Sequence, residues 1–366
     1  MKIALLSAAN NVHTMRWANA MSELGHEVTV ISSKSHKPNL QLKYCDAIKI
    51  VFLGLPSPYC YFFSANQLKK IVKRENFDVV NIHYASGYGT LGRKAKLKSA
   101  LLNLWGSDVY VFPYKSSFNM RTVKKNLKYY NHVASTSRCM ALQAKKLIDR
   151  EYQIIPFGVD TLKFKPIEGL KPQDRIIFGT VKALSAVYGL ADTIKAFSRL
   201  VGRLEKEGLH ELKSKLVYEI YGKGEQEEEL QRLIDSLDMT EKIKLCGYIE
   251  NGKLPEILNT FTVFNCNSLS ESFGVAVVEA MACGVPVQVS SAEGFVEVIE
   301  DGITGLIAPI GDVDAICDNM YKLLMDENLR KRMATASIER VKKLYNWTDN
   351  VNDMETLYKT IVEAQQ

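Results

Sequence analysis

This sequence has little with which to build disulfides. Its seven cysteines (Cys45, Cys60, Cys139, Cys246, Cys266, Cys283 and Cys317) are scattered, odd in number and never spaced C-x-x-C. That argues against a disulfide framework or a zinc ribbon and for a reducing cytoplasm. No run of 18 apolar residues occurs, so a spanning helix is excluded. The apolar stretch after Met1-Lys2 turns polar at Ser7, too soon for a signal peptide, and reads as a first buried strand. There is no low-complexity tract. No zinc finger, aromatic RNA-binding motif or recognition-helix pattern is present, which sets nucleic acid aside as a partner. No G-x-G-x-x-G turn is recognised after a strand, which disfavours a dinucleotide oxidoreductase.

What is present suits a two-domain globular protein. The chain has 366 residues, 46% hydrophobic and 24% charged, and ~150 residues per domain predicts two domains. Acidic residues are scarce in one half. Residues 1–165 hold 25 Lys and Arg against 9 Asp and Glu, a net of +16, whereas 166–366 hold 22 against 32, a net of −10. The basic half gathers its charge in Lys69-Lys70-x-x-Lys73-Arg74, Arg93-Lys94-x-Lys96-x-Lys98 and Lys124-Lys125-x-x-Lys128. Such a surface attracts anions such as membrane headgroups or phosphorylated substrates; the plainer alternative is a set of solvated helix faces.

Short apolar runs alternate with helical patterns throughout. Strands are expected at 2–7, 27–32, 48–53, 79–83, 100–104, 132–135 and 154–156, with a helix at 14–24 stopped by Gly25. Pro166, Gly169 and Pro172 mark a linker within 160–174. A second series follows at 175–181, 216–221, 243–246, 261–265, 285–289 and 305–308, and a helical tail at 347–366. Strands split by helices imply parallel sheets with right-handed crossovers. The expected fold class is α/β: two Rossmann-like, doubly wound domains facing across a cleft, residues 1–165 and 170–346, with the helix 347–366 packing back on the first. Ligand is expected at the carboxyl ends of the strands.

The most informative segment runs from Ser270 to Pro286. Helix signals start near Gly274 and end at Gly284, after a small polar loop. A helix N-terminus behind such a loop suits a phosphate. Glu271 sits at its mouth and Glu279 further along, and two carboxylates so placed can hold two hydroxyl-bearing parts of one ligand. The alternative is that Glu271 caps the helix and Glu279 is merely exposed.

The E-x7-E spacing of Glu271 and Glu279, with Phe273-Gly274 and Ala280-Met281-Ala282-Cys283-Gly284-Val285-Pro286-Val287, resembles the retaining, nucleotide-sugar-dependent glycosyltransferases of family 4, whose fold is GT-B. The likeness extends to Gly294, Glu297, Asp301-Gly302-x-Thr304-Gly305, Ile155-Pro156-x-Gly158-Val159-Asp160 and Tyr221-Gly222-x-Gly224, nearly the whole chain. The resemblance implies that Glu279 binds the nucleotide ribose and Glu271 the transferred sugar. It implies that Phe273, Gly274 and Val275 offer backbone N–H groups to sugar and diphosphate. Ile249, within Cys246-Gly247-Tyr248-Ile249, lies along the base, with Gly222 and Lys223 also on the donor side. Lys182 matches a diphosphate-binding cation, so Glu271 and Lys182 form the expected catalytic pair. A cation and a helix N-terminus that stabilise the leaving diphosphate make a metal or other cofactor unnecessary, and no D-x-D motif is placed to hold one.

The chain departs from the family in three places. No cation precedes Gly189, which shifts leaving-group stabilisation toward another base such as Arg16 or Lys223. Trp105-Gly106-Ser107-Asp108 stands where the family carries His-Gly-x-Asp, so Trp105 offers either a sugar-stacking face or core packing. The first loop, Ser7-Ala8-Ala9-Asn10-Asn11-Val12-His13, lacks the family's glycine pair. The acceptor side is expected to use His13, Arg16, His83, Trp105 and Asp108. The implied activity is hexosyl transfer from a nucleotide-diphosphate sugar, a UDP-sugar favoured, to a lipid-linked or polysaccharide acceptor in capsule or O-antigen synthesis. The implied location is cytoplasmic, peripheral on the inner face of the plasma membrane, with an anionic membrane surface as partner. The alternative is a non-catalytic nucleotide-sugar-binding protein.

Overall fold

The computed structural model describes residues 1–39 and 42–364. It resolves into two compact units, one of residues 1–157 with 348–366 and one of residues 158–347. The division falls at Phe157–Gly158, ahead of the Pro- and Gly-bearing stretch expected to be the linker.

The first unit is a seven-stranded sheet of β1 (Lys2–Leu6), β2 (Glu27–Ser33), β3 (Lys49–Leu53), β4 (Val79–His83), β5 (Leu101–Leu104), β6 (His132–Ser135) and β7 (Gln153–Ile154). All pairs are parallel, in the order β3-β2-β1-β4-β5-β6-β7. β4 and β5 are buried at every residue. Alternate side chains point to opposite faces, so both faces of the sheet are covered, as a parallel sheet with crossover helices requires. β7 stops short of the expected 154–156, since Pro156 has no N–H to continue a ladder. From Thr348 the chain belongs to this unit again: in the helix Trp347–Glu363, Tyr358 Oη accepts from buried Asn81 Nδ2 at 2.6 Å, and Glu355 meets His26 Nε2 at 3.0 Å.

The second unit is a six-stranded parallel sheet of β8 (Ile176–Val181), β9 (Leu216–Tyr221), β10 (Ile243–Gly247), β11 (Val263–Cys266), β12 (Val287–Ser290) and β13 (Leu306–Ala308), ordered β10-β9-β8-β11-β12-β13. β11 begins later than expected because Phe261 N still bonds to Leu258 O and closes the preceding helix. β12 begins later because Val285 N bonds to Ala280 O and Pro286 intervenes. The helix Leu190–Lys206 buries Ile194, Phe197, Leu200, Val201 and Leu204 on this sheet, a 3.6-residue stripe. Both units therefore have the Rossmann-like architecture expected of them. No helix among the described residues is long and apolar enough to cross a membrane.

One sequence expectation is corrected here. A G-x-G-x-x-G run does follow a strand: Gly87-Tyr88-Gly89-Thr90-Leu91-Gly92 opens the helix Gly87–Lys94 after β4. Its glycines are packing sites. A Cβ on Gly87 would meet the Tyr61 ring at 2.5–2.7 Å, and one on Gly92 would lie 2.5 Å from Tyr130 Oη.

Candidate active site

In each sheet the strand order reverses once, at β1/β4 and at β8/β11. Loops leaving the carboxyl ends of such neighbours diverge and open a crevice. Lys182 is the first residue past β8, and Glu271 lies in the loop past β11. Lys182 Nζ donates to Glu271 Oε2 at 2.6 Å, and each side chain is only 14% exposed. Glu271 Oε1 also accepts from Ser272 N at 3.3 Å. Burial alone would lower the Lys182 pKa; the Glu271 carboxylate outweighs it, and the net shift is upward. Lys182 is therefore a fixed cation. The Tyr188 ring stands 4.5 Å from its Nζ, within cation–π range.

The helix Val275–Ala282 starts beside this pair. Gly274 caps it at φ 96°, a left-handed conformation suited to glycine, and a Cβ there would stand 2.7 Å from the Phe295 ring. Gly274 brings no side chain to the cap; its carbonyl accepts from Val277 N and Val278 N at 3.0 and 3.2 Å, and the N–H groups of Val275 and Ala276 precede the first intrahelical acceptor, so this end presents positive potential. Gly294 N donates to Glu271 O at 2.9 Å and ties the loop in place. Phe273 is buried edge-on to Tyr345, ring centroids 5.5 Å apart. Glu279 is half-buried, four residues past Val275 and on the same helix face.

The other residues expected on the donor side follow neighbouring strand ends. Gly222 N donates to Gly247 O at 2.8 Å, and a Cβ on Gly222 would collide with Lys182 O, so this close crossing of two strand exits needs glycine. Ile249 is half-buried two residues past β10. Lys223 accepts from Leu184 N through its carbonyl, but its side chain is exposed and forms no ion pair among the described residues. What flanks Lys182 at the position preceding Gly189 is Tyr188, a residue the sequence reading passed over; a large aromatic where a cation was expected was the available signal.

The candidate residues of the first unit form a different kind of site. His83, at the end of β4, is fully buried; its Nδ1 lies 2.9 Å from Ser7 Oγ, which lies 2.7 Å from Thr14 Oγ1. His83 Nε2 has no hydrogen-bond partner among the described residues. The ring is 4.0 Å from Trp105, and His13 stacks on Phe157 at 4.1 Å with an interplanar angle of 20°. Burial lowers both histidines to about 3, with Arg16 adding to the effect on His13 and His13 to that on His83. Trp105 is 7% exposed and enclosed by His13, His83, Tyr84 and Phe157. Of the two alternatives, a sugar-stacking face or core packing, this arrangement is core packing. Asp108 is also turned inward: its carboxylate accepts from the backbone N–H of Ala85, Trp105 and Gly106 at 2.7, 3.2 and 2.9 Å. Burial raises its pKa against those bonds. It ties the loop after β5 to the loop after β4. In the first loop, Asn11 Oδ1 accepts from His13 N and Thr14 N, so the cap itself claims two leading N–H groups of the helix Val12–Glu23.

The D-x-D run, Asp312-Val313-Asp314, is likewise occupied, Asp312 as a helix cap and Asp314 paired with Arg199.

Comparison with known proteins gives these sites a context. Residues 163–340 match the family described as "Glycosyl transferases group 1", and residues 2–137 match "Glycosyl transferase 4-like". N-acetyl-alpha-D-glucosaminyl L-malate synthase of Bacillus anthracis is 24% identical over 93% of this chain and 91% of its own length. Phosphatidyl-myo-inositol mannosyltransferase of Mycolicibacterium smegmatis is 23% identical over 96% and 90%. Among solved structures, sucrose-phosphate synthase from Thermosynechococcus elongatus superposes with a TM-score of 0.86 at 18% identity, covering 100% of both chains. Anabaena HepE in complex with UDP and glucose superposes with a TM-score of 0.77 at 14% identity, covering 98% and 100%.

Proposed function

The chain belongs to the group 1, family 4-like glycosyltransferases of GT-B fold, and from that premise we propose that it moves a hexosyl group from a nucleoside-diphosphate sugar, a UDP-sugar favoured, to a lipid-linked or polysaccharide acceptor with retention of configuration. The Lys182–Glu271 pair at the β8/β11 switch point, beside an uncapped helix N-terminus, carries this reading. A diphosphate needs a fixed cation and backbone N–H donors; a sugar needs a carboxylate that accepts from its hydroxyls. Lys182 and the Gly274–Val275 turn supply the first set, and Glu271 the second. Glu279, along the same helix face, takes the ribose diol. As the glycosidic bond breaks, charge gathers on the departing diphosphate, and Lys182 with the helix end stabilises it; single contacts of this kind are worth ~3 kcal/mol. The departing phosphate oxygen takes the acceptor proton, so the buried, neutral His83 and the packed Trp105 are not needed as acid or base.

The printed names of the neighbours support the donor and acceptor classes. HepE is solved with UDP-glucose, and the mycolicibacterial relative is named for transfer to a phosphatidyl-inositol lipid. The role in surface glycan assembly on the cytoplasmic side of the membrane rests on that analogy.

A thermal-shift panel of UDP, GDP, ADP, CMP and their sugar conjugates tests the proposal. A ligand at ~100 times its dissociation constant adds ~2.7 kcal/mol of stability. One nucleotide is expected to stand out, and Glu279→Ala to abolish that shift while the free protein still melts cooperatively. Normal donor turnover by Glu279→Ala would remove the ribose assignment, and an anomeric product of inverted configuration would remove retention.

A further inference from the structure

The exposed apolar side chains of the first unit are unevenly placed. Leu55, Tyr59, Phe62 and Phe63 follow the carboxyl end of β3, and Tyr114 and Phe118 follow that of β5. In the short helix Tyr59–Phe63, Cys60 is fully buried and Tyr61 packs edge-on to Tyr88 at 5.1 Å. Those two anchor the helix. Tyr59, Phe62 and Phe63 sit at i, i+3 and i+4 on the other face, 61%, 37% and 72% exposed. Three adjacent aromatic rings facing solvent make a contiguous apolar patch that folding does not use.

Cations frame it. Lys94 Nζ lies 5.5 Å from the Phe62 ring centroid and 3.4 Å from Phe62 O. On the next helix, Ala65–Glu75, Leu68 and Ile71 face the core, while Lys69, Lys70 and Lys73 form an exposed stripe at i, i+1 and i+4. None of these lysines has a carboxylate partner among the described residues. Acids are almost absent nearby: between Asp46 and Asp108 only Glu75 and Asp78 occur, and between Asp108 and Asp149 there is none. Glu75 is held by Arg74, and Asp78 by Lys2 N. The helix Tyr59–Phe63 packs on Gly87–Lys94, and that helix on Ser117–Tyr129, which carries exposed Phe118, Arg121, Lys124 and Lys125.

Aromatic rings with apolar bodies, framed by lysines that have no carboxylate partner among the described residues in an acid-poor stretch, match the chemistry of one surface. Rings enter the headgroup–acyl boundary, and lysines lie over anionic headgroups. We infer that the Tyr59–Phe63 helix and its lysine frame dock this protein on an anionic bilayer. The inference locates the membrane contact and is separate from the donor chemistry, which is read independently in its test.

Co-sedimentation with neutral phosphatidylcholine vesicles and with vesicles holding about 30 mol% phosphatidylglycerol, at about 50 and 500 mM salt, tests it. The full chain is expected to pellet with the anionic vesicles at low salt, to stay in the supernatant with neutral ones, and to be released at high salt. Phe62→Ser/Phe63→Ser and Lys69→Gln/Lys70→Gln/Lys73→Gln are each expected to weaken partitioning at least tenfold. Both alter exposed positions, so melting temperature and the nucleotide-induced shift stay at wild-type values and report the donor site separately. Phe63→Trp is expected to show a blue-shifted emission on anionic vesicles. No pelleting at low salt, equal binding to neutral vesicles, or wild-type partitioning by the serine double variant overturns the inference. So does a dimer by light scattering that dissociates in the serine variant, which would assign the patch to a second copy of the chain.

Discussion

Lys182 and Glu271 are 89 residues apart in sequence and meet at 2.6 Å across two loops of the same sheet. Each is the partner the other has before a donor arrives. In the proposed donor complex, a diphosphate would compete with Glu271 for Lys182, and a sugar hydroxyl would compete with Lys182 for Glu271. On the proposed roles, the pair would hold the two charges in the positions where they are used, which limits reorganisation on donor binding.

This exchange has a measurable asymmetry. In Glu271→Gln, Lys182 no longer gives up an ion pair to reach the diphosphate. The nucleoside diphosphate is expected to bind at least as tightly as in the wild type, while sugar transfer falls by about 10²–10³. In Lys182→Ala the same nucleotide loses tenfold or more, about 1.4 kcal/mol. Both variants leave a largely buried charge without its partner and are expected to lose about 1–3 kcal/mol of stability. Calorimetric titration with UDP and GDP on both variants decides the matter; weaker binding to Glu271→Gln than to wild type would refute the exchange.

His83, fully buried, and His13, half-buried, set an acid limit on stability. His83 and His13 are held neutral, near 3 against an ordinary value of 6.5. The unfolded chain therefore takes up protons between pH 6.5 and 3 that the folded chain does not. Stability is complete above pH 6.5 and is lost as pH falls toward 3, with a limiting slope of about 1.4 kcal/mol per pH unit for His83. Urea unfolding at pH 7, 6, 5 and 4 is expected to show this decline. His83→Asn, although less stable at pH 7, is expected to lose part of the slope. Parallel pH curves for variant and wild type would show that His83 carries none of it.

How legible this was from sequence differs between the two units. The strands were readable because a parallel sheet buries both faces and leaves apolar runs such as Ile3-Ala4-Leu5-Leu6 and Val79-Val80. Boundaries slipped where a helix end borrowed residues from the next strand, as at Phe261 and Val285. The loop and helix of 270–286 were readable because their signals, small polar residues, Gly274 and Gly284 with Pro286, are local. Even so, the motif assigned Lys182 and Glu271 to different parts of a ligand, and only the folded sheet shows them bonded to each other. On the acceptor side, Trp105 takes the core-packing alternative and Asp108 is turned inward. Their motif position suggested a ligand, but four aromatic rings from distant segments enclose one, and backbone N–H groups from two loops claim the other. Such enclosure depends on contacts that no local pattern encodes. The glycine run at 87–92 went unrecognised, and its cause, the rings of Tyr61 and Tyr130, is equally non-local.

Tyr188 stands at the position before Gly189, where the resemblance led us to expect a cation. Its ring faces Lys182 Nζ at 4.5 Å, in a short 3-10 turn, Ala186–Tyr188, that ends at Gly189 with φ 61°. A Cβ at Gly189 would clash with Asn267 O, so the turn is pinned against the loop that leads to Glu271. The ring then acts as a wall that orients Lys182, and cation–π contacts of this sort are worth about 0.5–2 kcal/mol. Three substitutions separate the ring from the hydroxyl. Tyr188→Phe keeps the wall and is expected to bind the nucleotide diphosphate within about threefold of wild type. Tyr188→Leu removes the quadrupole and is expected to lose about two- to thirtyfold, the range those contact energies convert to. Tyr188→Lys places a second cation beside the first; it is expected to disturb Lys182 in the free protein by like-charge repulsion and to make diphosphate binding more salt-dependent. Titration of each variant at low and high salt reads all three. If Tyr188→Phe falls as far as Tyr188→Leu, the hydroxyl and not the ring is the working part, and Tyr188 becomes a direct hydrogen-bond donor to the phosphates.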